Sequence, residues 1–138
     1  MDVASLFNVK DKVVLVTGGG RGVGEMVYIS SRDAKACQST ADRLTSLGPG
    51  RCIALPGDLA HFDACVALVA EIEKREGKLN VLINNSGATW GDALETYPDQ
   101  AFTKLLNLNV QRVFTLIQKA VPLLQKGAKQ DGVGRIIN

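Results

Sequence analysis

Apolar and polar positions change period several times along the chain, and each change marks an element. "KVVLVTG" (Lys12 to Gly18) is a short β-branched run stopped by glycine, the pattern of a parallel strand buried on both faces. "VYIS" (Val27 to Ser30) reads as a second strand. From Asp33 to Leu47, Cys37, Ala41 and Leu44 recur at helical spacing, and "GPG" at Gly48 to Gly50 supplies a stop. "RCIALP" is a third strand, followed by a helix from about His61 to Glu76 whose Phe62, Cys65, Val66, Val69 and Ile72 form one apolar stripe. "LNVLIN" (Leu79 to Asn84) is a fourth strand and runs into the irregular "NNSGATWGDALETYP". After Pro98 a long helix is predicted to about Gln125, with Phe102, Leu106, Val113, Ile117 and Leu124 on its buried face, and "GRIIN" (Gly134 to Asn138) begins a fifth strand.

Strands alternating with helices predict an α/β fold: a doubly wound parallel sheet of about five strands, helices on both faces and right-handed crossovers. Composition narrows this only a little. Apolar residues at 46% and charged residues at 22% are globular values that exclude a fibrous or disordered chain. A net charge of +2, with no basic run interleaved with aromatics, argues against nucleic acid and for a small-molecule partner. The amino terminus has no basic region leading into an apolar stretch, and no apolar window approaches the roughly eighteen residues of a membrane span, so a cytoplasmic location is expected. Cys37, Cys52 and Cys65 are widely spaced without C-x-x-C and read as small buried hydrophobes, not as a metal site. His61, the only histidine, reads as a helix start or surface residue.

"TGGGRGVG" (Thr17 to Gly24) raises a sharper question. A glycine-rich turn between a buried strand and a helix lets a pyrophosphate approach bare backbone while the helix's free N–H groups hold its charge. Only nine residues separate Thr17 from Val27, where a parallel crossover needs about a dozen, so the helix after the loop is expected to be missing. One face of the first strand would then lie bare. On these residues alone the stretch is either a phosphate loop or a flexible turn.

"TGGGRGVG" at 17 to 24, "GDL" at 57 to 59, "NNSG" at 84 to 87 and "LNV" at 108 to 110 together resemble the short-chain dehydrogenase/reductase family in order and spacing, apart from that gap. The wording of "NVKDKVVLVTGGGRGVGEM" and "NVQRVFTLIQKAVPLL" is similar to fungal members that resemble 3-oxoacyl-[acyl-carrier-protein] reductases. The resemblance implies that residues 1–138 are a single, partial dinucleotide-binding domain of Rossmann type. It makes Gly18, Gly22 and Gly24 the turn glycines, with Gly19, Gly20, Arg21 and Val23 lining the cofactor. Arg21 and Arg32 would grip a 2′-phosphate, since guanidinium suits bidentate phosphate contact, and this implies NADP (NADPH) as cofactor. Asp58 would hydrogen-bond the adenine amino group with Leu59 beside it, unless it serves as a helix N-cap, and Asn85 would lie near the nicotinamide-side ribose. Asn109 sits three or four residues from Leu105, Leu106 and Val113, so its amide is expected to point into the apolar stripe, as a structural latch or as part of a site. The resemblance makes it the first of an Asn-Ser-Tyr-Lys catalytic tetrad.

What the family would supply next is absent from these residues. Its proton donor is a tyrosine acidified by a lysine four positions on, whereas Tyr28 and Tyr97 are followed at that spacing by Arg32 and Ala101. Ser5 and Ser86 do not stand where its serine would. The expectation is an NADP(H)-dependent oxidoreductase of a carbonyl or alcohol, with a 3-oxoacyl substrate in view, present here as an incomplete chain without activity and with the fifth strand as a raw edge. The alternatives are a non-catalytic nucleotide-binding or regulatory module that pairs with an intact homologue, as a homo- or hetero-oligomer through the 99–125 helix, and a chain too short of sheet to fold stably.

Overall fold

The computed structural model describes residues 9–18 and 26–138. Gly19, Gly20, Arg21, Gly22, Val23 and Gly24 lie outside the described residues, and with them the question of a helix after the glycine loop. The strands are β1 (Val13–Thr17), β2 (Met26–Ser30), β3 (Arg51–Ala54), β4 (Val81–Asn84) and β5 (Arg135–Ile137). They form one sheet in the order β3-β2-β1-β4-β5 with every pair parallel. The helices are α1 (Ala34–Leu47), α2 (Phe62–Glu76), α3 (Asp99–Leu106) and α4 (Arg112–Asp131), the last two joined by a single π turn over Asn107–Gln111.

β1 lies at the centre because its residues are apolar on both faces. Val13 and Leu15 join Tyr28, Leu68, Ile72, Leu82, Leu116 and Leu123 in the larger core. Val14 and Val16 face the other way and pack with Val27, Ile29, Cys37 and Ala41 of β2 and α1. The bare face expected for the first strand is therefore not found: Val14 and Val16 are buried. Cys37 and Cys65 are buried as expected, whereas Cys52 on β3 is only partly so, and burial pushes its thiol up to about 11. β5 stands at the sheet edge with Ile136 and Ile137 exposed, as the sequence predicts.

α1 begins where Asp33 accepts a hydrogen bond from Ala36 N at 2.9 Å, the N-cap pattern. α2 is capped at His61 without a side-chain bond, so Asp58 is not its N-cap, and its buried line runs through Cys65, Leu68, Val69 and Ile72 while Phe62 is 47% exposed. The stripe predicted for the long helix is also displaced. Of its residues Leu124 is buried and Ile117 packs on the core, but Phe102 (58%) and Leu106 (49%) are exposed; the buried positions are Ala101 before the π turn and Thr115, Leu116, Ala120, Leu123, Leu124 and Gly127 after it. One extra residue in a turn rotates everything beyond it by about 100°, which no uninterrupted 3.6-residue period anticipates.

At the amino-terminal edge of the sheet Asn80, fully buried, ties three strands together. Its Oδ1 accepts from Val13 N at 2.9 Å, and its Nδ2 donates to Asp131 Oδ2 at 2.9 Å and to Val133 O at 3.1 Å. Its own backbone bonds Val13 O and Arg135 N. Lys78 Nζ, 2.7 Å from Asp131 Oδ2, and then Asn80 hold the Asp131 carboxyl below the usual aspartate range. α4 approaches this node closely because residue 127 is glycine; a Cβ there would overlap the Leu79 carbonyl oxygen. Among the described residues, no helix is long and apolar enough to cross a membrane.

Candidate functional site

The chain builds β1, β2 and β3 outward in one direction and then returns to place β4 on the far side of β1. Ligands of open α/β sheets bind outside the carboxyl ends of the strands at such a reversal. The carboxyl ends of β1 and β4 are stitched there by Thr17, whose buried hydroxyl oxygen accepts from Asn85 N and Ser86 N, both at 3.1 Å. Gly18 follows with φ of 72°, donates its N–H to Ser30 O at 2.8 Å, and brings its Cα against the Asn85–Ser86 backbone.

A cleft of about 570 Å³ opens at this point. Of the residues singled out in the sequence, Gly18, Arg32, Asp58, Leu59 and Asn85 all line it. Arg32 is exposed between the end of β2 and the start of α1. The acid beside it, Asp33, has its Oδ1 engaged in capping α1. Asp58 Oδ1 accepts from Ala60 N at 3.0 Å, and its Oδ2 lies 3.6 Å from the exposed His61 Nε2. Leu59 is buried and joins the larger core to the cleft wall. Asp33 also lines the cleft, and Ser31, Gly57, Ser86, Gly87 and Leu108 complete the lining; sequence reading assigned none of these last five a role. Gly57, Ser86, Gly87 and Leu108 belong to the quoted motifs, which were the available signal.

A second cleft, of about 680 Å³, lies beyond β4, between its following loop and α4. Asn109 stands on its rim. Its amide does not enter the apolar stripe: the residue is exposed on the π turn, its Oδ1 accepts from Ala88 N and its Nδ2 donates to Ala88 O, both at 2.9 Å. The π turn is what redirects it. Asn84 Nδ2 donates to Asn138 Oδ1 at 2.8 Å in the same cleft, while Asn84 Oδ1 is buried with no hydrogen-bond partner. Neither tyrosine lines either cleft. Tyr28 is buried in the core and donates to Glu76 Oε1 at 2.5 Å; burial, then that carboxylate, holds its hydroxyl far above the usual tyrosine range.

Residues 12–138 match the family described as short chain dehydrogenase. The chain belongs to the short chain dehydrogenase family. It is 38% identical over 143 residues to the rhamnolipids biosynthesis 3-oxoacyl-[acyl-carrier-protein] reductase of Pseudomonas aeruginosa, covering 96% of this chain and 55% of that one. The Pseudomonas aeruginosa RhlG/NADP active-site complex superposes with a TM-score of 0.85 at 38% identity, again over 96% and 55% of the two chains. A metagenomic short-chain oxidoreductase in complex with NADP superposes with a TM-score of 0.82 at 25% identity, over 94% of this chain and 62% of that one. The chain spans about half the length of the curated relatives it matches.

Proposed function

We propose that these residues are the cofactor-holding part of an NADP(H)-dependent oxidoreductase of the short chain dehydrogenase type, acting on a carbonyl or alcohol and most closely suited to a 3-oxoacyl group. The observation that carries the reading is the convergence of Gly18, Arg32, Asp58, Leu59 and Asn85 on one cleft at the reversal of strand order. A dinucleotide fits these residues. Gly18 lines the cleft with a left-handed backbone and no side chain to press on the Asn85–Ser86 backbone that forms its floor, and Gly19, Gly20, Arg21, Gly22, Val23 and Gly24 are assigned to the same phosphate loop, Arg21 also to the 2′-phosphate. Arg32 supplies a forked cation for a 2′-phosphate, while the adjacent Asp33, which also lines the cleft, spends one carboxylate oxygen on capping α1. Asp58 keeps one carboxylate oxygen free of backbone bonds for the adenine amino group, Leu59 supplies an apolar wall, and Asn85 is assigned to the nicotinamide-side ribose.

Bound NADPH would supply the hydride; the residues present bind and orient it. Asn109 fixes the Ala88 backbone beside the second cleft, where a carbonyl substrate would lie. A proton donor is not among residues 1–138: Tyr28 is committed to Glu76 and Tyr97 has no lysine at the required spacing. These residues alone therefore hold the cofactor without turning substrate over. A second reading, a non-catalytic module that pairs with an intact relative or another copy in the cytoplasm, is favoured by the exposed apolar row of Phe102, Leu106, Val110 and Phe114 within the 99–125 segment.

A thermal melt with and without NADPH, followed by Trp90 fluorescence, tests the first reading. Cofactor at 100 times Kd should stabilise the chain by about 2.7 kcal/mol, and a melt indifferent to NADPH would reject it.

A further inference from the structure

The π turn carries successive residues to different sites: Leu108 lines the first cleft and Asn109 the second. The turn is a wall common to both. A π turn is a less favourable local conformation than the α-helix on either side, so something must hold it. Three side chains do. Asn107 Nδ2 donates to Ala60 O at 2.9 Å, in the segment that leads from Asp58 into α2. Arg112 Nε donates to Asn107 Oδ1 at 3.1 Å, and Arg112 Nη1 donates to Thr115 Oγ1 at 3.2 Å. Thr115 in turn donates to Gln111 O at 3.0 Å, the last carbonyl of the π turn. The Arg112 guanidinium lies 5.8 Å from the centre of the Phe62 ring at the first turn of α2, a ring that Lys119 Nζ also approaches at 5.6 Å.

The chain of contacts continues into both sites. Ala60, held through its carbonyl by Asn107, donates its N–H to Asp58 Oδ1 at 3.0 Å. Two residues beyond Asn107 on the same turn, Asn109 grips Ala88 by both ends of its amide.

We propose that Arg112 and Asn107 are positioning residues, a clamp that sets the π turn against the Asp58–Ala60 segment and so aligns Asp58 in one cleft and the Asn109–Ala88 latch in the other. The fork matters because Nε and Nη1 donate from fixed positions in one plane to Asn107 and Thr115, a spacing that the three donors of a compact ammonium on a flexible stem do not reproduce. Only the cofactor arm of the test below rests on the function proposed above.

The test is amide hydrogen exchange by NMR on the free 138-residue chain, read at Ala60 and Ala88 and compared with Leu15 and Leu82 in the central strands. Arg112→Met keeps an apolar stem near Phe62 and removes the fork. It should speed exchange at both Ala60 and Ala88 by about tenfold, the size of a lost charge-assisted hydrogen bond, with Leu15 and Leu82 unchanged. Asn107→Asp keeps the acceptor for Arg112 but loses the donor to Ala60 O, so it should speed exchange at Ala60 alone. This milder variant carries the test should Arg112→Met fail to fold. Arg112→Lys should restore neither site fully. Exchange that changes equally at all four amides, exchange unchanged at Ala60 and Ala88, or full restoration by lysine would each overturn the clamp. In a parallel titration Asn107→Asp should weaken NADPH binding by about three- to tenfold through Asp58. Wild-type chain that fails to bind NADPH would sink the cofactor reading and leave the exchange result standing.

Discussion

Gly18→Ala should destabilise the domain by about 3–5 kcal/mol, combining left-handed backbone strain with overpacking, and should remove dinucleotide affinity. With φ at 72°, an alanine there is strained whatever the space around it, and its Cβ would lie 2.5 Å from Ser86 Cα, 2.7 Å from Ser86 N and 2.8 Å from Asn85 O. All of these are backbone atoms fixed by Thr17, so relief requires the ends of β1 and β4 to part. Those ends form the floor of the first cleft. Urea unfolding monitored through Trp90 checks the stability loss, with Gly91→Ala as the control, because a Cβ at residue 91 meets nothing within 4 Å.

Asn80→Ala should cost about 2–4 kcal/mol, since it strips a buried Val13 N–H and a Val133 carbonyl of their partners at once. Asn80→Asp should not rescue it: a carboxylate can accept from Val13 but opposes Asp131. The loss should also depend on pH. Asp131 is held below its ordinary value by Lys78 and Asn80, so its contribution is present above the usual aspartate pKa of about 3.9 and disappears as pH falls through the lower folded value. The gap between wild type and Asn80→Ala should therefore narrow in acid. Chemical denaturation repeated from neutral pH downward measures it.

The strands were legible because β1, β2 and β4 are short apolar runs with β-branched residues, bounded by glycine or polar loops, and the structure places them at those positions. The helix faces were less so. A continuous 3.6-residue period puts Phe102 and Leu106 in line with Ile117 and Leu124, and the extra residue of the π turn at 107–111 takes the two halves out of phase, so that Phe102 and Leu106 lie on the surface while Leu124 is buried. The same turn explains Asn109: a polar residue in an apolar stripe marked it as special, but its partner is the Ala88 backbone, 21 residues away and outside the stripe. Asn80 carried no signal, because a strand-edge asparagine looks like any other until Asp131, 51 residues on, is folded against it. The cleft residues Arg32, Asp58 and Asn85 were legible only through the motif resemblance, as none has a local pattern that distinguishes it from a solvated polar residue. Thr17 shows the limit from the other side: a lone hydroxyl at the end of an apolar run gave no hint of the two backbone amides it receives from a loop 68 and 69 residues later.

Arg32 is proposed to grip the 2′-phosphate of a dinucleotide held in the cleft at the ends of β1 and β4. Titration calorimetry of the wild-type chain and Arg32→Ala with NADPH and NADH tests it most directly. The wild type should prefer NADPH by at least about tenfold, the worth of one charge-assisted phosphate contact, and Arg32→Ala should reduce that preference, with Arg21 left to supply the remainder and NADH binding unchanged. Equal or tighter binding of NADH by the wild type, or an NADPH preference undiminished by the loss of Arg32, would contradict it.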